Sequence, residues 1–375
     1  MKKILILILT VATLFCKLAP FCRAQEIPSV SAKSAILIDA DSAEVLAAKN
    51  ERERMGMAST TKIITALTVL SLADTDETVT VTKEAVGTEG SSVYLCEGEK
   101  LTVEQLLYAL LLASANDAAV ALAVHCSGSV DSFADKMNAV VSDMGLDDTH
   151  LTNPHGLYDE DHYTTAYDLA IITREAMKNE LLSKIFATYK ATIPFCGEDN
   201  KRLVVNHNKM LRDYDGAIGV KTGFTKKTGR CLVSAAKREG LTLICVTLNA
   251  PDDWRDHTAM LNYGYENYCK YVFFDVGEYT YDMPLTGGEK DCVTLTNSQP
   301  IALTVSKDNT NATLTVTSAW HFAYAPARKG EQYATLTVSC EGKSASVPLT
   351  AAESVNTQKE QKFSDKIFDF FKKDN

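Results

Sequence analysis

Helical spacing of apolar residues is concentrated in one block of this chain, residues 57–178, and strand-like alternation lies on both sides of it. That arrangement admits few folds. Before the block, residues 34–50 read as two strands around an Asp/Ser turn. Inside it, residues 57–70 begin an apolar helix, 78–82 alternate as a short strand, and 101–112 carry Val103, Leu106, Leu107 and Leu110 on one helical face. Ser114-Ala115-Asn116 interrupts, and helices over 117–126, 132–144 and 165–178 follow. After the block, 203–206, 217–221, 231–238 and 241–249 return to β-character, and 254–268 closes with a helix. An antiparallel sheet assembled from the two ends, with helices inserted between them, is the economical α+β solution.

From about Tyr271 the texture changes to short alternating runs rich in Thr, Val and Ser, such as Cys292-Val293-Thr294-Leu295 and Ile301-Ala302-Leu303-Thr304. This predicts a small all-β domain over 271–350 after a larger domain over 25–270, with a linker and tail over 351–375. In the tail, Phe363, Ile367, Phe370 and Phe371 share one face of a short amphipathic helix, with Lys362, Lys366, Lys372 and Lys373 around it. Peripheral membrane contact is one reading. A helix lying on its own protein is the other, because Asp365, Asp369 and Asp374 dilute the charge.

Met1-Lys2-Lys3 followed by an apolar run to Cys16 is too short to span a bilayer comfortably and reads as a signal peptide, cleaved after Ala24. An uncleaved anchor is the alternative. The expected place is therefore the extracytoplasmic face of the cell membrane or the cell wall. Cleavage removes four cations and no acids, taking the formal charge from −10 to −14. Nucleic acid is an improbable partner for so acidic a chain, and any anionic ligand must meet a local cationic pocket. Eight cysteines remain at long, irregular spacings without Cys-x-x-Cys, which argues for buried thiols and against a metal site. Cys292 with Cys340 is the disulfide pairing to test first. Nothing in the sequence requires a cofactor.

Ser59 and Lys62 stand three apart where the first apolar helix begins, so they share a helix face. A serine held there becomes a nucleophile if Lys62 is kept neutral by a dry site or a nearby cation. A plain helix N-cap explains Ser59 equally well. Ser114 and Asn116 occupy the helix break, where capping again competes with catalysis. Far downstream, Lys221-Thr222-Gly223-Phe224 places a lysine and a threonine at a strand end.

In this order, Ser59-x-x-Lys62, Ser114-x-Asn116 and Lys221-Thr222-Gly223 resemble the three motifs of the penicillin-recognising serine enzymes. Thr152-Asn153-Pro154-His155-Gly156-Leu157, His162-Tyr163-Thr164-Thr165-Ala166 and Asn206-His207-Asn208-Lys209 look like the low-molecular-mass D-alanyl-D-alanine carboxypeptidases over roughly residues 31–268. The resemblance implies a penicillin-binding, β-lactamase-like transpeptidase domain without a cofactor. Its substrate would be a peptidoglycan stem peptide ending in D-Ala-D-Ala, and β-lactams would be covalent inhibitors. It assigns nucleophile to Ser59, base to Lys62, proton relay to Ser114 and substrate binding to Asn116, Lys221, Thr222, Gly223 and Phe224. The oxyanion hole would be the backbone N–H groups of Ser59 and Phe224.

His207 departs from the resemblance, since some relatives carry Arg there, which puts an extra carboxylate contact in doubt. His155 and His162 receive no chemistry from it, and loop packing is the simpler account. Three alternatives stay open: a wall-binding protein on the same fold that captures stem peptides or penicillin without turnover, an endopeptidase, and a class A β-lactamase. Against the last, no Glu-x-x-Leu-Asn appears between Ser142 and Leu169, and Ser114-Ala115-Asn116 replaces Ser-Asp-Asn.

Overall fold

The computed structural model describes residues 28–195 and 200–358. The expected signal peptide, the amphipathic tail and Cys196 lie outside the described residues. The chain opens with β1 (Ser34–Asp39) and β2 (Val45–Lys49), joined by a turn in which Asp39 Oδ2 accepts from Ser42 Oγ at 2.6 Å. A 3₁₀ turn (Ala58–Thr61) leads into α1 (Lys62–Leu72). The hairpin β3 (Thr78–Thr80) and β4 (Lys100–Thr102) precedes α2 (Val103–Leu112), α3 (Asn116–Ser127) and α4 (Val130–Asp143). Then come α5 (Ala166–Lys178), α6 (Glu180–Ala187), the hairpin β5 (Lys190–Pro194) and β6 (Lys201–Val205), and the single turn α7 (Met210–Asp213). Strands β7 (Ala217–Thr225), β8 (Gly229–Arg238) and β9 (Leu241–Leu248) and helix α8 (Asp253–Asn267) complete this part.

Strands from both ends of the sequence form one antiparallel sheet in the order β2-β1-β9-β8-β7, as the α+β reading expected. Every residue of β1 is buried because both faces of the sheet are covered. Alternate side chains divide between two cores: Ile36, Ile38, Ile244 and Val246 face the helical block, while Ala35, Leu37, Leu243 and Cys245 meet Met260 and Leu261 of α8. Helix α1 runs through the block against α2, α3, α4 and α5, burying Ile63, Ile64, Ala66 and Val69. That surrounding packing fixes its first turn, where the chemistry is expected.

Among the described residues, Tyr268 to Gln358 contain only strands and the turns between them. Strands β10 (Tyr268–Phe274) and β13 (Ile301–Ser306) pair with each other. Strands β11 (Thr280–Thr286), β12 (Cys292–Asn297), β14 (Thr313–Thr317), β15 (Ala323–Tyr324), β16 (Gln332–Cys340) and β17 (Lys343–Ala351) form a six-stranded sheet ordered β14-β16-β17-β12-β11-β15. In β16, Ala334, Leu336, Val338 and Cys340 point inward and the residues between them outward. Lys343 Nζ reaches Glu44 at 2.9 Å and Lys270 Nζ reaches Asp41 at 2.7 Å, tying this part to the β1–β2 turn.

Several expectations change. Helix α6 and strands β5, β11 and β17 were not anticipated, and residues 100–102 form a strand before α2 begins. Residues 351–358, expected as linker, are held to the sheet: Val355 bridges to Ala327 and Thr357 to Gly288. Cys292 and Cys340 are both free thiols. Their strands, β12 and β16, lie on either side of β17, so the side chains do not become cross-strand neighbours.

Candidate active site

Ser59 lies in the 3₁₀ turn, one residue after Ala58, which holds a left-handed φ of +48°. Its side chain caps nothing, since neither the turn nor α1 has a side-chain cap, and the N-cap reading is thereby excluded. Lys62 Nζ lies 3.0 Å from Ser59 Oγ, 2.6 Å from Asn116 Oδ1 and 2.7 Å from the carbonyl oxygen of His155. A neutral amine has two N–H bonds for the two carbonyl oxygens, which leaves its lone pair facing the Ser59 hydroxyl. The Asn116 amide is oriented by donation from Nδ2 to the Glu89 carbonyl at 2.5 Å.

Electrostatics favour that neutral state. Lys62 is wholly buried, and its pKa falls well below the ordinary 10.5, first through loss of water and then through the charge of Lys221, with Asp117 opposing. Lys221 is also buried, which lowers its pKa to about 7. Its Nζ donates to Ser114 Oγ at 3.0 Å and to the Thr222 carbonyl at 2.8 Å. The segment 114–116 thus bridges the two lysines: Ser114, at φ +58°, touches Lys221, and Asn116 touches Lys62. Two amines this close share their titration, so holding a proton on Lys221 keeps one off Lys62.

Strand β7 lies edge-on to the nucleophile turn. A Cβ on Gly223 would stand 3.0 Å from the Ser59 nitrogen and 3.1 Å from the Met57 carbonyl oxygen, so only glycine lets the strand approach this closely. On the other side, a Cβ on Gly156, at φ +83°, would come within 1.9 Å of the Ala58 carbonyl oxygen. Asn153 Oδ1 accepts from Gly156 N–H at 2.7 Å and from His155 N–H at 3.3 Å, folding this loop so that the His155 carbonyl meets Lys62.

The cleft above these groups has a volume of about 410 Å³ and is lined by Ser59, Ser114, Thr222, Gly223, Phe224 and Arg230, among others. A larger hollow of 760 Å³ lies elsewhere, between Thr78, Cys96, Gln105 and Pro194, and contains none of the reactive side chains. Among the described residues no cluster of three or more His, Cys, Asp or Glu side chains could hold a metal ion.

All eight expected residues therefore meet in one place, and the structure adds others. Arg230 sits directly across from Phe224 in the β7–β8 register, with Nε 3.0 Å from Asp253 Oδ1. Trp254, Lys209 and His207 complete that wall, where Arg230 supplies a guanidinium on a cleft that has imidazole at 207. Burial and Lys221 lower the His207 pKa. Asp117 accepts from Ser92 Oγ at 2.6 Å and Leu95 N–H at 3.0 Å, pinning the loop whose Ser91 carbonyl receives Asn116 N–H. The acidic residue directly after Asn116 was a signal for that loop, and Gly229-Arg230 at a hairpin end was one for the wall. The His155 ring is confined to its loop, with Nδ1 accepting from Leu157 N–H at 3.2 Å. His162 Nδ1 accepts from Thr152 N–H at 3.1 Å, so Nε2 carries the proton and donates to Thr61 Oγ1 at 2.8 Å. Both rings are packing groups, as expected; burial first lowers their pKa values, to about 3 for His155 and about 4 for His162.

A cleft-lining serine on a buried lysine, a second buried lysine across the cleft and a strand edge against the nucleophile turn define a serine acyl-transfer site on an α+β scaffold. The family model for D-alanyl-D-alanine carboxypeptidases, Peptidase_S11, matches residues 22–252, and the chain belongs to that family. It is 33% identical over 332 residues to D-alanyl-D-alanine carboxypeptidase DacF of Bacillus subtilis, covering 86% of this chain and 85% of that one. Penicillin binding protein 5 of Haemophilus influenzae superposes with a TM-score of 0.70 at 28% identity, over 88% of this chain and 99% of that one. A Streptomyces K15 DD-transpeptidase variant covers 64% of this chain and 99% of its own, at 34% identity and a TM-score of 0.61. The chain is accordingly a serine hydrolase of the penicillin-binding class. Neither a β-lactamase nor a non-catalytic binder is favoured.

Proposed function

We propose that this enzyme removes the terminal D-alanine from peptidoglycan stem pentapeptides through an acyl-enzyme on Ser59. Lys62 takes the Ser59 proton as the hydroxyl attacks the penultimate carbonyl. Ser114 relays a proton to the departing amine, and Asn116 holds both Lys62 and the substrate amide. The oxyanion rests on the backbone N–H groups of Ser59 and Phe224; losing one such donor typically costs about 3 kcal/mol. Lys221, Thr222 and the guanidinium of Arg230 receive the free carboxylate that marks a chain end, with Gly223 allowing strand and nucleophile to close on each other. The observation that supports this most is the Ser59–Lys62 contact at 3.0 Å with both lysines buried.

The same reading covers the rest of the chain. Residues 1–24 direct export to the extracytoplasmic face, 25–270 are the catalytic unit, 271–350 form the core of the β-domain with 351–358 held against it, and the rest of the tail to 375 contacts the membrane peripherally. Penicillins acylate Ser59 and leave slowly, because no general base of the Glu-x-x-Leu-Asn kind is present between Ser142 and Leu169.

D-Alanine release from a diacetyl-Lys-D-Ala-D-Ala tripeptide, measured beside intact mass after penicillin treatment, tests this. Release together with a penicilloyl adduct on Ser59 is expected. An adduct without release at any pH overturns the carboxypeptidase reading.

A further inference from the structure

The two most exposed large side chains of the β-rich part stand in one loop. Trp320 is 73% exposed and Tyr324 69%, with Phe322 and His321 also at the surface between them. Phe322 and Tyr324 stack edge to face at 5.2 Å, and Trp320 is exposed two residues before Phe322 on the same loop. Burying such rings in water-excluding surroundings is favourable, yet no element of the sheet covers them.

The place of this loop is informative. Thr286 pairs with Tyr324 in the β11–β15 register, and the next residue, Gly287, accepts from Gln358 N–H at 2.9 Å through its carbonyl. Ala325 N–H donates to the Thr286 carbonyl at 3.0 Å. The aromatic loop and the last described residue therefore flank the same few residues. Phe363 follows Gln358 by five residues, and a chain of that length reaches at most about 17 Å. The segment beyond carries Phe363, Ile367, Phe368, Phe370 and Phe371 among lysines. Arg328 and Lys329 are exposed just after the loop, and Lys329 N–H donates to Ser354 Oγ at 3.0 Å on the segment that leads from β17 to the tail.

We propose that Trp320, Phe322 and Tyr324 form a second membrane-contacting element, which enters the headgroup region of an anionic bilayer beside the C-terminal tail. The chemistry is that of an interfacial aromatic belt. Trp and Tyr rings place an apolar body among acyl chains and a polar edge among headgroups, while Arg328 and Lys329 meet lipid phosphates. One weak anchor gives only marginal binding, and two adjacent ones add their free energies and fix orientation. The inference rests on the proposed tail contact for its neighbour, but its own test is separate.

The full mature chain is sedimented with vesicles of phosphatidylglycerol and phosphatidylethanolamine, beside W320S/F322S/Y324S and a tail variant F363S/F370S/F371S. The loop variant is expected to lose about tenfold in partition and to keep D-alanine release. The chain has 2 tryptophans, so comparison with W320F isolates the emission of Trp320, which shifts to the blue on lipid binding. Partition of the loop variant equal to wild type overturns the proposal, as does a Trp320 emission indifferent to lipid. A loss of self-association or of wall binding with unchanged lipid partition assigns the patch to a second copy or to glycan, and equally overturns it. If the loop variant falls and the tail variant does not, the tail reading fails and this one stands; the converse sinks this one alone.

Discussion

The two parts of the molecule handle polar groups in opposite ways. In the larger part, Lys62, Lys221, Ser114 and Asn116 are buried together, and Ala58 and Ser114 hold left-handed backbone conformations beside them. In the β-rich part the interior is Leu295, Leu303, Leu336, Val338 and Leu349, with Asn297 and Thr304 its buried polar residues, and the hydroxyls of Thr337 and Ser346 bond each other on the exposed face at 2.8 Å. A sheet needs no interior charge to be stable. Two amines taken out of water are costly, so their presence marks where the fold gives up stability for chemistry.

The sharpest way to break this contrast is Ser59→Ala. D-Alanine release should fall on the order of 10⁴-fold or more and the penicilloyl adduct should vanish, while the melting temperature hardly moves. Turnover that survives would place the nucleophile elsewhere. Lys62→Met should slow acylation by about 10²- to 10⁴-fold yet raise thermal stability, because a buried amine is replaced by an apolar chain of similar length. Acylation rate and calorimetry on the same sample check both signs. In the other part, Leu336→Ala should cost about 2–5 kcal/mol of stability through the cavity it leaves, with D-alanine release unchanged at 25 °C. An activity loss there would show that the two parts are coupled.

The smallest effect is the most diagnostic. Lys221 titrates near 7, below the ordinary 10.5, so its charge is present below that pH and lost above it. Carboxylate binding should weaken as pH rises past about 7, with KM climbing up to tenfold per unit and kcat less affected. For stability the sign runs the other way: between about 7 and 10.5 the unfolded chain binds a proton that the folded chain does not. Wild type should therefore gain stability relative to Lys221→Met across that window, as urea titrations at several pH values would reveal.

Spacing carried much of the site. Ser59 and Lys62 are neighbours because a helical turn makes them so, and the helical block showed itself through Ile63, Ile64, Leu106 and Leu110 at helical intervals. Elements with weak local signal escaped. Strand β11 holds Pro284, and β17 is small and polar around Pro348, so neither alternates strongly enough to be read. Arg230 escaped for another reason: its place opposite Phe224 follows from strand register, which the hairpin turn and the core set together.

By itself, then, the sequence determined the helical block, the strongly alternating strands around it and the serine and lysines that could react, because periodicity and side-chain chemistry are local properties. Tertiary structure alone decided that Lys221 stands on Ser114, that the His155 carbonyl and Asn116 take the two protons of Lys62, and that Gly156 and Gly223 clasp the nucleophile turn. Those contacts join segments some 50 to 160 positions apart, and only packing of the sheet against the helices brings such distant groups to hydrogen-bonding range and removes the water that would otherwise keep both lysines charged.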